Sequence, residues 1–241
     1  MIDYEKYHRD GYAFFRIEDL LTEEQLIEFN KMADIAYQTP LTPSNFFYVY
    51  AVQGKYNDPE WPFKLSLYRL EEKLKLSKEL GHRITQKWYE GRGDGVRPIM
   101  EYYNKLTSTF IRNFYPEIKE DCSNLNYQSA ITVYMNGDFT QSHRDGQNQG
   151  RLCVILIYLT PEEEYNNGGG ELVVFGDNEN EVDNNAYLKP VRGNVAMLDF
   201  NTHNPFHEVK EIINNFRRYC YISFLWNVDK MPDSNKPQGY K

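Results

Sequence analysis

The amino-acid sequence predicts a mainly β fold of the sandwich or jelly-roll kind, with supporting α-helices. From Tyr127 onward, short apolar runs rich in Val, Ile, Tyr and Phe are separated by Gly, Asn, Asp and Pro, the rhythm of short strands joined by turns. Before Tyr127, apolar residues recur at helical spacing instead. A chain of 241 residues, 41% hydrophobic and 15% aromatic with 20 Tyr and 14 Phe, has enough apolar material for one sizeable, ring-rich core. One domain is therefore expected over 1–241: helical support and a lid region at 1–126, a β core at 127–229 and a tail at 230–241.

Each element has its own local cause. Leu20, Leu21, Leu26, Ile27 and Phe29 predict a helix over Asp19 to Ala36, with Thr22 and Gln25 placed to form a capping box. Pro40 and Pro43 punctuate the chain, after which Asn45 to Val52 reads as a strand or an aromatic cluster. Leu65 to Leu80 mixes leucines with Lys and Glu, as an amphipathic surface helix does, and Gly81 ends it. Gly91 to Gly95 is a loop by composition and lacks the strand and helix that a phosphate cradle needs. A second long helix is expected at Ile99 to Phe114. The expected strands are Gln128–Met135, Leu152–Leu159, Glu171–Phe175, Asn194–Phe200 and Tyr219–Trp226, with a polar, acidic connection from Asp177 to Asn185.

A formal net charge of −8 argues against nucleic acid as a partner, because phosphate backbones require clustered Lys and Arg. No apolar run approaches the roughly 20 residues that span a bilayer, and Met1 to Glu5 does not open a signal peptide, so a cytoplasmic protein without a membrane partner is expected. Cys122, Cys153 and Cys220 are widely spaced and show no zinc-type pattern, so they read as free thiols.

The chemistry is carried by His143-Arg144-Asp145 and His207. If the triplet is extended, the two-residue period sends His143 and Asp145 to one side of the strand and Arg144 to the other. His207 lies several strands later and can return beside them; two imidazoles and one carboxylate form the facial triad associated with non-haem Fe(II). His203 is the competing ligand, though His207-Glu-Val209 and its spacing to the following arginines favour His207. An arginine inside a barrel is costly unless a carboxylate meets its fork. Arg218 is in phase with Trp226, and Arg217 with Ser223 and Leu225, which favours Arg218 facing inward with Arg217 solvated. Gly168 to Gly170 reads as a tight turn.

The order of these motifs resembles the prolyl-hydroxylase-like branch of the Fe(II)/2-oxoglutarate-dependent dioxygenases. The likeness runs from about Tyr127 to Asp229: Val133-Tyr134, His143-Arg-Asp145, Arg151 to Thr160 with Tyr158, Gly168 to Phe175, Pro190 to Phe200, His207-Glu-Val209, and Arg218-Tyr219 leading to Trp226. Asp10 to Gln25 also looks like the opening of phytanoyl-hydroxylase-type oxygenases, which would add a strand to the barrel. The resemblance implies a double-stranded β-helix (jelly roll, cupin-like) core and Fe(II) held by His143, Asp145 and His207. It further implies a 2-oxoglutarate co-substrate held by Arg218 or Arg217 with Tyr158 and Tyr134, and O₂ as oxidant. The intervals from His207 to Arg218 and from Arg218 to Trp226 each run about two residues longer than in the closest motif, which keeps both arginines in play. An aspartate at 145, where related halogenases lack a ligating residue, points to hydroxylation, desaturation or ring closure.

The expected function is oxidation of a C–H bond in a small molecule such as an amino acid or metabolite, giving succinate and CO₂. A peptidyl prolyl hydroxylase is the alternative enzyme, and a non-catalytic ligand-binding β-helix protein is the alternative of another class. The insert from about Pro40 to Arg97 is long enough to cover the barrel mouth.

Overall fold

The computed structural model describes residues 2–39, 47–49, 84–88, 97–145, 150–175 and 185–232. The helix expected at Leu65 to Leu80, the loop at Gly91 to Gly95 and most of the expected lid lie outside these residues, as does nearly all of the acidic connection.

The chain opens with α1 (Tyr4–Asp10), an element the periodicity did not announce, capped by Asp3 and ended by Gly11 in the left-handed region. Strand β1 (Tyr12–Arg16) follows, and a 3₁₀ turn at Ile17–Asp19 leads to helix α2 (Glu23–Gln38). The expected Thr22–Gln25 capping box is present, and it starts the helix at Glu23 rather than at Asp19. Helix α3 (Arg97–Phe114) agrees with the predicted one to within two residues at its start.

Two antiparallel sheets enclose the β core. The larger has the order β1-β9-β6-β11-β4-β3-β2, formed with β2 (Phe47–Val49), β3 (Ile84–Trp88), β4 (Leu125–Tyr134), β6 (Arg151–Tyr158), β9 (Asn194–Asp199) and β11 (Arg218–Asn227). The smaller has the order β5-β10-β7-β8, from β5 (Thr140–His143), β7 (Leu172–Val174), β8 (Ala186–Leu188) and β10 (His207–Val209). As the likeness of the N-terminal stretch implied, β1 joins the large sheet, pairing antiparallel with β9.

Every residue of β6 is buried, because both faces of the large sheet are covered. Cys153, Ile155 and Ile157 pack with Tyr7, Phe15, Phe29, Tyr103 and Phe114 in a core shared with the helices. Val154, Leu156 and Tyr158 point the other way, into a second core closed by Leu172, Val174 and Val209 of the small sheet. Strand alternation thus divides one apolar run between a structural layer and the barrel interior. The three cysteines are free, and Cys153 and Cys220 are buried.

Candidate active site

The small sheet assembles the first part of the site. β10 pairs antiparallel with β5, and the register places His207 directly opposite His143, with ring centroids 4.4 Å apart. β5 ends at His143, so Asp145 reaches the pair from just beyond the strand rather than from within an extended triplet. Asp145 lies between the two rings, with Oδ1 3.7 Å from His143 Nε2 and Oδ2 3.7 Å from His207 Nε2. One ligand-type atom from each of His143, Asp145 and His207 lies within 4.8 Å of the others. Nδ1–H of His207 points at the Pro205 carbonyl, 3.1 Å away, which leaves the Nε2 lone pair for the site. Burial, with His143 adjacent, pushes the His207 pKa down to about 4, so the ring is neutral at pH 7, as a metal ligand must be.

The alternative residues lie elsewhere. His203 Nε2 is 2.8 Å from the His8 carbonyl, and His203 is not part of the His143–Asp145–His207 group. Arg144 is exposed, with its guanidinium 4.1 Å from the Phe206 ring centre.

The large sheet supplies the second part. Arg218, 1% exposed, opens β11 opposite Tyr134 and points into the barrel. Its Nε–H donates to the Gly170 carbonyl at 2.8 Å and an Nη2–H to the Tyr158 hydroxyl at 3.0 Å, while the guanidinium lies 4.7 Å from the Tyr134 ring centre. Arg217 points to the opposite, helical face, 5.1 Å above the ring of Tyr37 in α2, so it is ring-packed rather than simply solvated. Burial raises the pKa of both interior tyrosines, Tyr134 to about 12, so both keep their hydroxyl protons. Tyr134 shares a hydrogen bond with Thr140.

The Gly168 to Gly170 turn is built as read. Gly169 has φ +83°, and a Cβ there would sit 1.8 Å from the Glu211 carbonyl oxygen, so only glycine fits beside that backbone. The turn presents the Gly170 carbonyl to Arg218.

One residue of the same interior was not singled out from the sequence. Arg151 is 8% exposed, and its guanidinium lies 4.6 Å, 4.3 Å and 5.4 Å from the ring centres of Phe200, Phe224 and Trp226. The Phe200 ring is 6.4 Å from that of His207, which places this cation toward the end of the barrel that carries His143, Asp145 and His207. The signal was available: a charged residue opens a strand that is otherwise apolar.

Fold and site together define a jelly-roll barrel with two histidines and a carboxylate at one end and a buried Arg–Tyr pair in its interior. Residues 129–226 match the model of the 2OG-Fe(II) oxygenase superfamily. The matched segment is the β core, and it contains His143, Asp145, His207 and Arg218. No curated protein sequence matches the chain. Among solved structures it is similar to a Trichoplax adhaerens prolyl hydroxylase in complex with a hypoxia inducible factor peptide, at 16% identity and TM-score 0.57, over 94% of this chain and 88% of that one. It is also similar to a Pseudomonas putida prolyl-4-hydroxylase, at 13% identity and TM-score 0.56, over 92% and 96%. A third similar structure is the carbocyclase SnoK from nogalamycin biosynthesis, at 12% identity and TM-score 0.54, over 93% and 83%. At these identities the likeness shows the fold, a double-stranded β-helix core. Among the described residues no helix is long and apolar enough to cross a membrane.

Proposed function

We propose that the chain is a dioxygenase that uses Fe(II), 2-oxoglutarate and O₂ to oxidise an unactivated C–H bond of a small molecule such as an amino acid or metabolite. In this reading His143, Asp145 and His207 hold Fe(II), and Arg218 with Tyr158 holds the far carboxylate of 2-oxoglutarate. The observation that carries it is the meeting of three ligand atoms within 4.8 Å, from strands far apart in sequence, over a barrel that buries an arginine.

The donor set fits the metal. Two imidazole nitrogens and one carboxylate would hold a cation from one side and leave positions open, as a 2-His-1-carboxylate site does. The co-substrate fits as well. Among the described residues Arg218 meets only neutral acceptors, a carbonyl and a hydroxyl, and a buried guanidinium in that state is costly. A carboxylate arriving there would compensate the charge and engage the planar fork. Bound Fe(II) with 2-oxoglutarate and O₂ supplies the oxidising power, releasing succinate and CO₂. The chain's own residues bind, orient and exclude water: His207 is aimed by Pro205, and Val154, Leu156, Leu172, Val174 and Val209 keep the interior dry.

Arg151, stacked among three rings near the metal end, supports a compact polar substrate, because it offers a charge partner inside the barrel rather than along an open groove. The likeness to an enzyme described in complex with a peptide favours the second reading, a prolyl peptide.

Anaerobic titration with Fe(II) and 2-oxoglutarate should produce the weak visible charge-transfer band of the chelate, and no band would sink the metal and co-substrate assignment. Succinate release should then be stimulated by free amino acids or related metabolites. Stimulation by prolyl peptides alone would transfer the function to the second reading, and an iron-binding chain that no substrate stimulates would point to a binding module.

A further inference from the structure

We propose that Asn204 is a positioning residue for the metal site, tying the backbone of Asp145 to the turn that also aims His207. The inference rests on the reading that His143, Asp145 and His207 hold the metal.

β9 ends at Asp199, and the chain turns back to reach β10 at His207. That turn is organised around Asp199. Its carboxylate accepts the amides of Asn201, at 2.9 Å, and Thr202, at 3.3 Å, and the Tyr115 hydroxyl, at 3.2 Å. Its own carbonyl accepts the Asn204 amide at 2.7 Å. Tyr115 is in turn hydrogen-bonded to Tyr7 of α1, and the amide of Asp199 donates to the carbonyl of Gly11. The turn is therefore fastened to the helical layer on one side and to the small sheet on the other.

Two consecutive residues of this turn serve two different ligands. The Asn204 side chain donates Nδ2–H to the Asp145 carbonyl at 2.7 Å, and the Pro205 carbonyl faces Nδ1 of His207 at 3.1 Å. Asp145 needs such a tether more than the histidines do. His143 and His207 belong to paired strands whose ladder fixes their backbone, whereas Asp145 lies beyond the end of β5.

The backbone of Asn204 is unusual in a way that supports a role. It sits at φ +48°, a left-handed conformation, and precedes a proline, which restricts it further. Glycine would adopt that conformation most readily, and asparagine is among the few other residues that tolerate it. Asn204 is buried, and its Oδ1 has no hydrogen-bond partner among the described residues. A turn under no other demand would be better served by glycine. What asparagine adds is the N–H that reaches Asp145, and strained residues of this kind persist where the surroundings over-determine them.

Asn204→Gly removes that donor while relieving the backbone, and Asn204→Asp keeps the side-chain size but also loses the donor. Each is titrated with Co(II) in place of Fe(II), following the ligand-field absorption of the bound ion, and the melting temperature of the metal-free protein is measured alongside. Both variants should bind Co(II) about 10–100-fold more weakly, the usual effect of removing a group that orients a metal ligand. The absorption bands of the bound ion should shift, and the metal-free melting temperature of Asn204→Gly should stay near that of the native protein. Native affinity and native bands in either folded variant would overturn the positioning role alone. A lowered melting temperature with unchanged affinity in the folded fraction would also overturn it, assigning Asn204 to the fold. If the native protein binds no Co(II) or Fe(II), the metal-site reading falls and this inference with it.

Discussion

Arg217 and Arg218 are neighbours with opposite surroundings. One lies against Tyr37 and Tyr219 on the helical face, and the other is enclosed with Tyr158 and Tyr134 inside the barrel. The strand period predicted which would face inward, and that much was legible from Trp226 in phase with Arg218. Truncating one partner of a buried charge pair costs about 2–5 kcal/mol, so Arg218→Ala should weaken 2-oxoglutarate binding by roughly 30-fold or more. Arg217→Ala should leave that affinity near native. Anaerobic titration of the charge-transfer band measures both, and equal losses in the two variants would contradict the assignment. Arg151 was harder to read, because a guanidinium stacked on three rings is recognisable only once β6, β9 and β11 bring those rings together.

At the level of elements, short-range rules did well where both partners of an interaction lie within a few residues. The capping box of α2 is such a case: Thr22 and Gln25 bond reciprocally as their spacing predicts, and this sets the start of the helix. The glycine turn is another. Its conformation was readable, but the reason glycine is required was not, since the obstructing carbonyl belongs to Glu211. Gly169→Ala should therefore cost about 1–3 kcal/mol or more of stability, from a left-handed non-glycine residue pressed against backbone. It should also weaken 2-oxoglutarate binding through the displaced Gly170 carbonyl. Denaturant unfolding checks the first effect, and native stability in the variant would rule out the contact. The strands β3, β5 and β8 were not announced, because runs of three to five residues carry too little periodicity to stand out from loops.

At the scale of the whole molecule, the residues proposed to hold the metal and the co-substrate are contributed by both sheets, so ligands should stabilise the closed barrel as one unit. Fe(II) and 2-oxoglutarate, each at about one hundred times its dissociation constant, should each add about 2.7 kcal/mol, so that the two together raise the melting temperature by roughly 10–20 °C for a chain of this size. Chelation should reverse the shift, and a melting temperature insensitive to both would argue against a functional site spanning the sheets. The sequence by itself determined the fold class, the long helices, the main strands and the identity of the residues able to bind a cation, because these follow from spacing and side-chain chemistry along the chain. Only the tertiary structure decided that His207 lies opposite His143, that Asp145 reaches them from beyond its strand, and that Asn204 holds it there. The physical reason is that strand register and sheet closure are settled by contacts between segments far apart in sequence, including irregularities such as the shift between Leu225 and Trp226, which no local pattern encodes.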